Sequence, residues 1–308
     1  MCGRWSARPP TGWWRICSRR RAPVRERLAA LTGAAVTALA PLSGGDIGLV
    51  HRVRLDDGRT VVAKTAKPGG RDTAEVEAAM LRHMAAAGVP VPGVVAVEPG
   101  LLVIDAVADQ GAPDAADLAR VVAAMHGVER ADYGFDAATV FAGERQDNRP
   151  VTGVAAPAAP WPAFFAERRL RPMAHLAHDA GRLDRATLAR VEALAGRLDR
   201  WLPARPPAVL LHGDLWAGNV LGDRGRVSAL VDPAIYYGHG EVDLAMLTLF
   251  GGVGRDFFAA YGARRPLDPG FFEVRRDLYN LYPLLFHVKA FGGGYAGQVG
   301  AILDRFGA

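Results

Sequence analysis

The segment Leu210–Leu221 has the sequence LLHGDLWAGNVL, in which polar residues stand between two hydrophobic stretches. The hydrophobic residues on both sides are typical of β-strands, so His212, Asp214 and Asn219 are expected on a short loop between strand ends. Loops held by a rigid scaffold often carry catalytic side chains. The segment therefore predicts a catalytic loop, with Asp214 and Asn219 as its candidate functional groups.

The chain continues as VLGDRGRVSALVDPA, which predicts two short strands joined by the turn Gly222–Gly225. A hairpin brings its two open ends together, so Asn219 and Asp232 are expected side by side. An amide oxygen and a carboxylate suit Mg²⁺, which binds through few protein ligands together with substrate phosphates. Asp214 has no cation near it in the sequence and is predicted to accept a proton.

Composition indicates a soluble globular chain of 308 residues with two lobes. No apolar run reaches the roughly 18 residues that a membrane span needs. The net charge of +5 suggests nucleic-acid binding, but six arginines and no acid lie in residues 1–24, which leaves the rest near neutrality. Residues 1–24 are predicted to be a disordered extension or to follow a misplaced start codon. The two cysteines, Cys2 and Cys17, exclude a disulfide framework in the body of the chain.

The N-terminal third predicts a small sheet-rich lobe over residues 25–106. A helix is expected over Arg25–Ala40, three strands within Pro41–Ala66, and a second helix over Asp72–Ala87. Two further strands are expected within Val89–Val107, around a Pro-Gly turn. The prediction is a sheet of about five strands with one helix inserted after the third.

The remainder, residues 107–308, predicts a larger and mainly helical lobe. A long loop is expected over Gly143–Pro160, which is rich in glycine and proline. The clearest helical segments are Ala116–His126, Trp161–Leu170, Ala186–Trp201, Val242–Phe250 and Leu278–Phe291. The fold class is therefore α+β.

The order of these features resembles the protein-kinase scheme H-R-D-L-x-x-x-N followed by a metal-binding Asp. The matching residues run from His212 to Asn219, and Asp232 follows. In the N-terminal lobe, TVVAK matches the strand that carries the phosphate-binding lysine, which makes Lys64 the candidate for the α- and β-phosphates of ATP. The resemblance implies that Glu77, on the next helix, pairs with Lys64.

Two further elements of the scheme are weaker. Gly44 and Gly45 stand where a glycine-rich loop would cover the phosphates, although GGDIG is not G-x-G-x-x-G. The strand LLVID ends at Asp105, and Ala106-Val107 follows where a hinge backbone would hold adenine. Both elements are expected to bind ATP by resemblance alone.

Gly213 stands where protein kinases carry Arg, and DPAIYYGHGEVDLA leaves no room for an activation loop. The H-G-D-x-x-x-x-N form is shared by small-molecule kinases of the aminoglycoside phosphotransferase and choline kinase type. Within these, HGDLWAGN, DPAIYYGHGEVDLAML, FGG and LYNLYPLLFHVKAFGGGY closely resemble the fructosamine kinase (ketosamine-3-kinase) family, as do DYGF, NRP and WPAFFAERRLRP. The resemblance covers about Leu42 to Tyr295. Two residues depart from the family pattern: Gly240 replaces a common Arg, and Asp46 stands where some eukaryotic members carry Cys.

The resemblance implies ATP-dependent phosphorylation of the 3-hydroxyl of a ketosamine, which starts deglycation. Asp214 would be the base, Asn219 and Asp232 the Mg²⁺ ligands, and Trp216 either a wall against the sugar or a core anchor. His212 and Asp243 are expected to support the loop rather than touch substrate. Either the acceptor pocket or the protein interior is expected to hold the side chains of Trp161, Arg168, His239 and Glu241.

Two alternatives stay open at this point. One is a phosphotransferase for another hydroxyl, such as an aminoglycoside or choline; the other is a pseudokinase that binds without turnover. The sequence leaves open the sugar, the free or protein-bound state of the amine, and the oligomeric state. The expected partners are a ketosamine substrate, with no nucleic acid and no membrane, and the expected location is the cytoplasm.

Overall fold

The computed structural model describes residues 22–42, 48–151 and 159–308. The predicted extension up to residue 21 and the turn residues Gly44, Gly45 and Asp46 therefore lie outside the described residues. Among the helices that are described, none combines the length and the apolar composition needed to cross a membrane.

The N-terminal part contains a five-stranded antiparallel sheet in the order β1-β2-β3-β5-β4. Its strands are β1 (Val36–Pro41), β2 (Gly48–Leu55), β3 (Thr60–Ala66), β4 (Val94–Glu98) and β5 (Leu101–Asp105). Strand β3 pairs with β2 on one side and with β5 on the other along most of its length, and Lys64 of β3 lies opposite Val50 and Leu102. The predicted number of five strands is correct, but β1 ends at Pro41, where the predicted range Pro41–Ala66 begins, and the structure describes β2 and β3 alone wholly within that range. Lys64 lies in the central strand, β3.

The predicted helix over Arg25–Ala40 is wrong in its second half. Helix α1 spans Val24–Thr32 and ends at Gly33, whose φ of 72° is left-handed. After this turn the chain enters β1, where it pairs with β2, and the Ala35 N–H donates to the Asp56 carboxylate at 2.9 Å. Pairing with β2 therefore outweighs the helical spacing of apolar residues in this segment, because local helix propensity is a weak determinant of structure.

Helix α2 (Ala74–Ala86) connects the two parts of the molecule. One face places Ala78 and Leu81 against Leu102 and Ile104 of β5. The opposite face places Val76, Met80 and Met84 in the core of the C-terminal part. Because the helix is buried on both sides, its position relative to both parts is set by packing, and so is the position of Glu77.

The C-terminal part is mainly helical, as predicted. Its helices are α3 (Ala115–Met125), α4 (Trp161–Phe165), α5 (Arg171–Asp179), α6 (Arg185–Ala195), α7 (Glu241–Leu249), α8 (Arg255–Gly262), α9 (Arg276–Phe291) and α10 (Gly294–Arg305). π-Helical turns at Ala166–Leu170 and Phe271–Arg275 adjoin α5 and α9. The sequence patterns did not predict α5, α8 or α10.

Short strands position the loops of this part. They are β6 (Glu129–Arg130), β7 (Thr139–Phe141), β8 (Glu144–Gln146), β9 (Ala208–Leu211), β10 (Val220–Asp223), β11 (Arg226–Leu230) and β12 (Tyr236–Gly238). They form the sheet β12-β9-β6 and the hairpins β7-β8 and β10-β11. The predicted long loop from Gly143 is therefore wrong at its start, because Glu144–Gln146 pairs with β7. The hairpin after Asn219 is present as predicted.

Two glycine-to-alanine substitutions, one in the left-handed turn after α1 and one inside α10, should change the stability of the protein in opposite directions. Gly33→Ala should lower the free energy of unfolding by about 1 kcal/mol, because a Cβ is strained at positive φ even in open space. Gly297→Ala, in the exposed interior of α10 with no atom near its Cβ, should raise it by about 0.5–1 kcal/mol. Urea denaturation of both variants measures the difference. A stabilising Gly33→Ala would instead indicate a helix that continues toward Ala40.

Candidate active site

The hairpin β10-β11 brings the predicted metal ligands to neighbouring backbone positions. Val220 pairs with Leu230, and the Val231 N–H donates to the Asn219 carbonyl at 3.0 Å. Asp232 follows directly, in a left-handed conformation with φ of 54°. The Asn219 side-chain amide donates to the Asp214 carbonyl at 2.8 Å. One short hairpin thus ties together the three residues that the sequence singled out.

The buried carboxylate of Asp243, in the first turn of α7, holds the start of this loop. Its two oxygens accept the backbone N–H groups of His212 at 2.8 Å and Gly213 at 2.9 Å. On its other side His126 Nε2 lies 3.3 Å away, and Tyr261 OH lies 2.8 Å from His126 Nδ1. These contacts agree with loop support by Asp243, and they add His126 and Tyr261, which the sequence analysis missed.

His212 links the loop to the strand that leads to Asp232. Its Nε2 lies 3.0 Å from the Val231 carbonyl, and its Nδ1 accepts the Asp214 N–H at 3.3 Å. Burial lowers the pKa of His212, so the ring is neutral with its proton on Nε2. In this state the ring can fix the backbone but cannot supply a positive charge.

Gly213 is required by the backbone of the loop. Its φ is 79°, and a Cβ built on it would lie 2.2 Å from the Ala234 carbonyl oxygen. The two segments are held this close because the Ala234 N–H donates to the His212 carbonyl at 2.7 Å. The Arg that protein kinases carry at this point of the scheme could not be accommodated here without moving the segment after Asp232.

Asp214 is half-buried beside two other carboxylates. Its pKa is raised to about 7, chiefly by burial; the charges of Asp232 and Asp243 contribute to the rise, and hydrogen bonding with Asn219 opposes it. A carboxyl group with a pKa near neutrality can both take up and release a proton at physiological pH. This suits it to the role of general base that the sequence predicted.

The ammonium group of Lys64 is the positive centre opposite Asp214. It forms ion pairs with Glu77 of α2 and with Asp232. Burial lowers the pKa of Lys64, but the two carboxylates more than offset this and hold it above the usual value. The Lys64–Glu77 contact matches the pairing that the resemblance implied, and the charged ammonium lies at the carboxylate proposed to bind metal.

A cavity of about 590 Å³ connects these groups. On one side it is lined by the sheet residues Gly48, Val50 and Leu102, and on the other by aromatic residues of the C-terminal part. The sequence-predicted residues that line it are Lys64, Glu77, Asp214, Trp216, Asn219 and Asp232. The Trp216 ring covers the backbone of Gly218, where an added Cβ would lie 2.2 Å from the indole.

The proposed hinge residues do not line this cavity. Asp105 ends β5, and its N–H donates to the Gly93 carbonyl at 2.9 Å. Ala106 and Val107 follow and are partly buried. Contact of Asp105, Ala106 and Val107 with adenine therefore stays a prediction.

The sequence left open whether four side chains lie in the acceptor pocket or in the protein interior, and three of them lie in the interior. Trp161 donates from Nε1 to Tyr279 OH at 2.9 Å, and His239 Nδ1 lies 2.7 Å from the same hydroxyl. Burial lowers the pKa of His239 to about 3, so it is neutral. Glu241 accepts two hydrogen bonds of 2.6 Å from Arg275.

Of the two locations left open by the sequence, the structure therefore favours the interior for these three side chains. Glu241 and Arg275 form a buried pair, and removing one partner from such a pair costs about 3–5 kcal/mol. Arg168 is also away from the cavity, because its guanidinium donates to the carbonyls of Arg149 and Pro150 at 2.9 and 2.8 Å. Gly240, which begins α7, would place a Cβ 3.0 Å from His126 Nδ1.

The family model described as fructosamine kinase matches residues 22–307 of this chain. A relative from Thermus thermophilus, assigned as a ketoamine kinase, is 42% identical over 262 residues, which are 84% of this chain and 90% of the relative. The chloroplastic protein-ribulosamine 3-kinase of Arabidopsis thaliana is 32% identical over 284 residues, which are 88% of this chain and 83% of the relative.

Solved structures agree on the fold. A crystal structure from Thermobifida fusca, assigned as a fructosamine-3-kinase, has a TM-score of 0.78 at 32% identity and covers 91% of this chain and 96% of that one. The ADP-bound aminoglycoside phosphotransferase APH(2″)-Ib has a TM-score of 0.59 at 15% identity and covers 91% and 95% of the two chains. At that identity the second match shows the fold alone. The predicted protein-kinase-like fold is confirmed.

The crowding at Gly213 can be tested against a glycine with similar backbone geometry. Gly213→Ala should destabilise the protein by about 1–3 kcal/mol beyond the strain of positive φ, because its Cβ meets a backbone carbonyl. Gly181→Ala is the control, since Gly181 has φ of 68° and no atom within 4 Å of its Cβ. Urea denaturation of the two variants measures the difference. Equal destabilisation would contradict the close approach of the catalytic loop to Ala234.

Proposed function

The chain belongs to the fructosamine kinase family, and from this premise we propose that it transfers the γ-phosphoryl group of ATP to the 3-hydroxyl of a ketosamine, which starts deglycation. The observation that carries the proposal is that Asp214 and Lys64 line one cavity, which Asn219 and Asp232 line as well. A base, a phosphate-binding cation and a hard-oxygen donor pair are what phosphoryl transfer requires.

Asp214 is the general base of the proposed reaction. Its ionised carboxylate orients the 3-hydroxyl and accepts the proton as the oxygen attacks phosphorus, a role typically worth about 10²–10⁴-fold in rate. Asp243 and His212 act through the backbone, because they hold the loop that carries Asp214. Trp216 lies two residues further on and offers a flat wall against the sugar.

Lys64 binds the phosphates, and Glu77 orients its ammonium group. The nucleotide would bind in the N-terminal lobe, residues 25–106, with Asp105, Ala106 and Val107 near adenine. The assignment of Gly44 and Gly45 to the phosphates rests on the sequence resemblance alone. The acceptor lies against the second lobe, residues 107–308. This division accounts for a cavity with sheet residues on one side and aromatic residues on the other.

Asn219 and Asp232 would hold Mg²⁺. Their amide and carboxylate oxygens fit this ion, and no group of three or more His, Cys, Asp or Glu side chains suited to a metal occurs among the residues with described structure. A sparse protein donor set of this kind matches an ion that completes its shell with phosphate oxygens and water. When bound, the ion neutralises charge that develops on the transferred phosphoryl group.

Asp214→Asn tests the base. The variant keeps the shape of the side chain but cannot accept the proton, so we expect kcat to fall about 10²–10⁴-fold while ATP binding persists. The assay is Mg²⁺-dependent ATP consumption with ribulosyl-lysine, fructosyl-lysine, kanamycin and choline. Asp256→Asn, at an exposed position on α8, is the matched control and should leave the rate unchanged.

The outcomes of this assay separate the alternatives. Turnover confined to kanamycin or choline would keep the kinase mechanism but contradict the proposed acceptor. ATP binding without turnover on any acceptor would favour a pseudokinase. An Asp214→Asn enzyme with wild-type kcat on a ketosamine would contradict the assignment of the base.

The pH dependence should report the same carboxyl group. Burial and the Asp232 charge raise the pKa of Asp214 to about 7, and only its ionised form accepts a proton. We therefore expect kcat/KM for a ketosamine to rise with pH between about 6 and 8 and then level off. Initial rates at fixed ATP and low ketosamine measure it, and a flat or falling profile across this range would contradict the prediction.

The free energy of unfolding should fall with rising pH, whereas kcat/KM should rise. Because the folded-state pKa of Asp214 lies above its unfolded-state value, the wild type loses stability as pH rises from about 4 to about 7 and the carboxylate ionises. Asp214→Asn has no such loss. The free energy of unfolding of the variant minus that of the wild type should therefore be larger at pH about 8 than at pH about 5.5, and denaturant titration of both proteins at these two pH values measures the difference.

A further inference from the structure

An aromatic surface extends the cavity beyond Trp216. It consists of Trp216, Phe250, His287, Phe291 and Tyr295, and we call it the aromatic wall. Its rings contact one another in sequence, with centroid distances of 6.0 Å for Trp216–Phe250, 5.1 Å for Phe250–His287 and 4.9 Å for His287–Tyr295. The wall joins the catalytic loop, the end of α7, the end of α9 and the start of α10.

The outer rings of the wall are unusually exposed for large apolar side chains. Phe250 is 44% exposed and Phe291 is 51% exposed, although both line the cavity. Exposed aromatic residues that lie together commonly mark a binding surface. Their continuity with Asp214 through Trp216 indicates that the surface belongs to the acceptor and not to a separate partner.

The charges of the cavity lie elsewhere. The carboxylates among its described lining residues are those of Asp72, Glu77, Asp214 and Asp232, and none is part of the wall. Arg71, at the rim, is paired with Glu144 at 2.7 Å. A carboxylate placed against the rings of Phe250 and Phe291 would lose hydration, and the negative face of an aromatic ring offers it no hydrogen-bond donor in return, which is unfavourable.

The chemistry of the substrate determines what reaches the wall. In a ketosamine the nitrogen is bonded to carbon 1, two carbons from the hydroxyl that Asp214 would engage. The phosphoryl donor occupies the Lys64 side of the cavity, so the substituent on nitrogen extends along the side that continues past Trp216. That side is the aromatic wall.

We infer that Phe250, Phe291 and Tyr295 bind the substituent on the ketosamine nitrogen and select apolar alkyl or aromatic substituents over those with a carboxylate beside the nitrogen. The inference rests on the proposed function and adds the class of amine to it. Because this contact is remote from the reacting atoms and equal in ground and transition states, it should act on KM and leave kcat nearly unchanged.

The test uses three ribulosamines that share the sugar and differ in the substituent on nitrogen: benzyl, butyl and carboxymethyl. For the wild type we expect kcat/KM to be about tenfold higher for the benzyl and butyl adducts than for the carboxymethyl adduct. In Phe250→Ala and Phe291→Ala this preference should shrink to about twofold or less through a higher KM for the apolar adducts.

Matched variants separate the proposed contact from general effects. Phe272→Ala removes an aromatic ring of similar exposure, 41%, that does not line the cavity, and it should retain the full preference. Phe291→Leu keeps apolar surface and should restore most of the preference lost in Phe291→Ala. Thermal denaturation of each variant checks that the protein remains folded at the assay temperature.

The outcomes distinguish this inference from the proposed function. Turnover of all three ribulosamines with equal kcat/KM, or a preference unchanged in both alanine variants, would overturn the inference while the ketosamine kinase activity stands. A preference for the carboxymethyl adduct would overturn it as well. Absence of turnover on every ribulosamine, with ATP still bound, would overturn the proposed function and this inference with it.

Discussion

The active site depends on one buried carboxylate that never reaches the cavity. Asp243 accepts the N–H groups of His212 and Gly213 and thereby sets the direction in which the loop leaves β9. The position of Asp214 follows from that direction, and the hydrogen bond from the Asn219 side chain to the Asp214 carbonyl closes the loop on itself. A buried charge is tolerated here because backbone donors and His126 surround it.

The second constraint is the double burial of α2. The helix places Glu77 at Lys64 because one of its faces packs on the sheet and the other packs in the core of the C-terminal part. Lys64, which we propose as the phosphate-binding cation, is therefore positioned relative to Asp214 by hydrophobic packing as much as by charge. The Lys64–Asp232 contact then joins the two parts directly across the cavity.

Some groups at the candidate site lower the stability of the folded protein. Asp214 is partly desolvated beside Asp232 and Asp243. This raises its pKa, which means that ionisation of the carboxyl group is less favourable in the folded protein. The exposed rings of Phe250 and Phe291 likewise leave apolar surface in water until a substrate covers it. The buried carboxylate of Glu241, by contrast, is paired with Arg275.

The residue pattern was sufficient to predict the fold class, the loop that carries Asp214, and the hairpin that joins Asn219 to Asp232. The pairing of Lys64 with Glu77 followed from the resemblance to the kinase scheme. The loop and the hairpin depend on short-range geometry, namely a loop of set length and a two-stranded turn. The strand after Gly33 could be recognised from the folded structure alone, because that strand exists through its pairing with β2. Only the tertiary structure placed Trp161, His239 and Glu241 in the interior and Phe250 and Phe291 at the cavity. The side toward which an aromatic or charged residue of a helix points is set by the neighbours that pack against that helix, and those neighbours are distant in the chain.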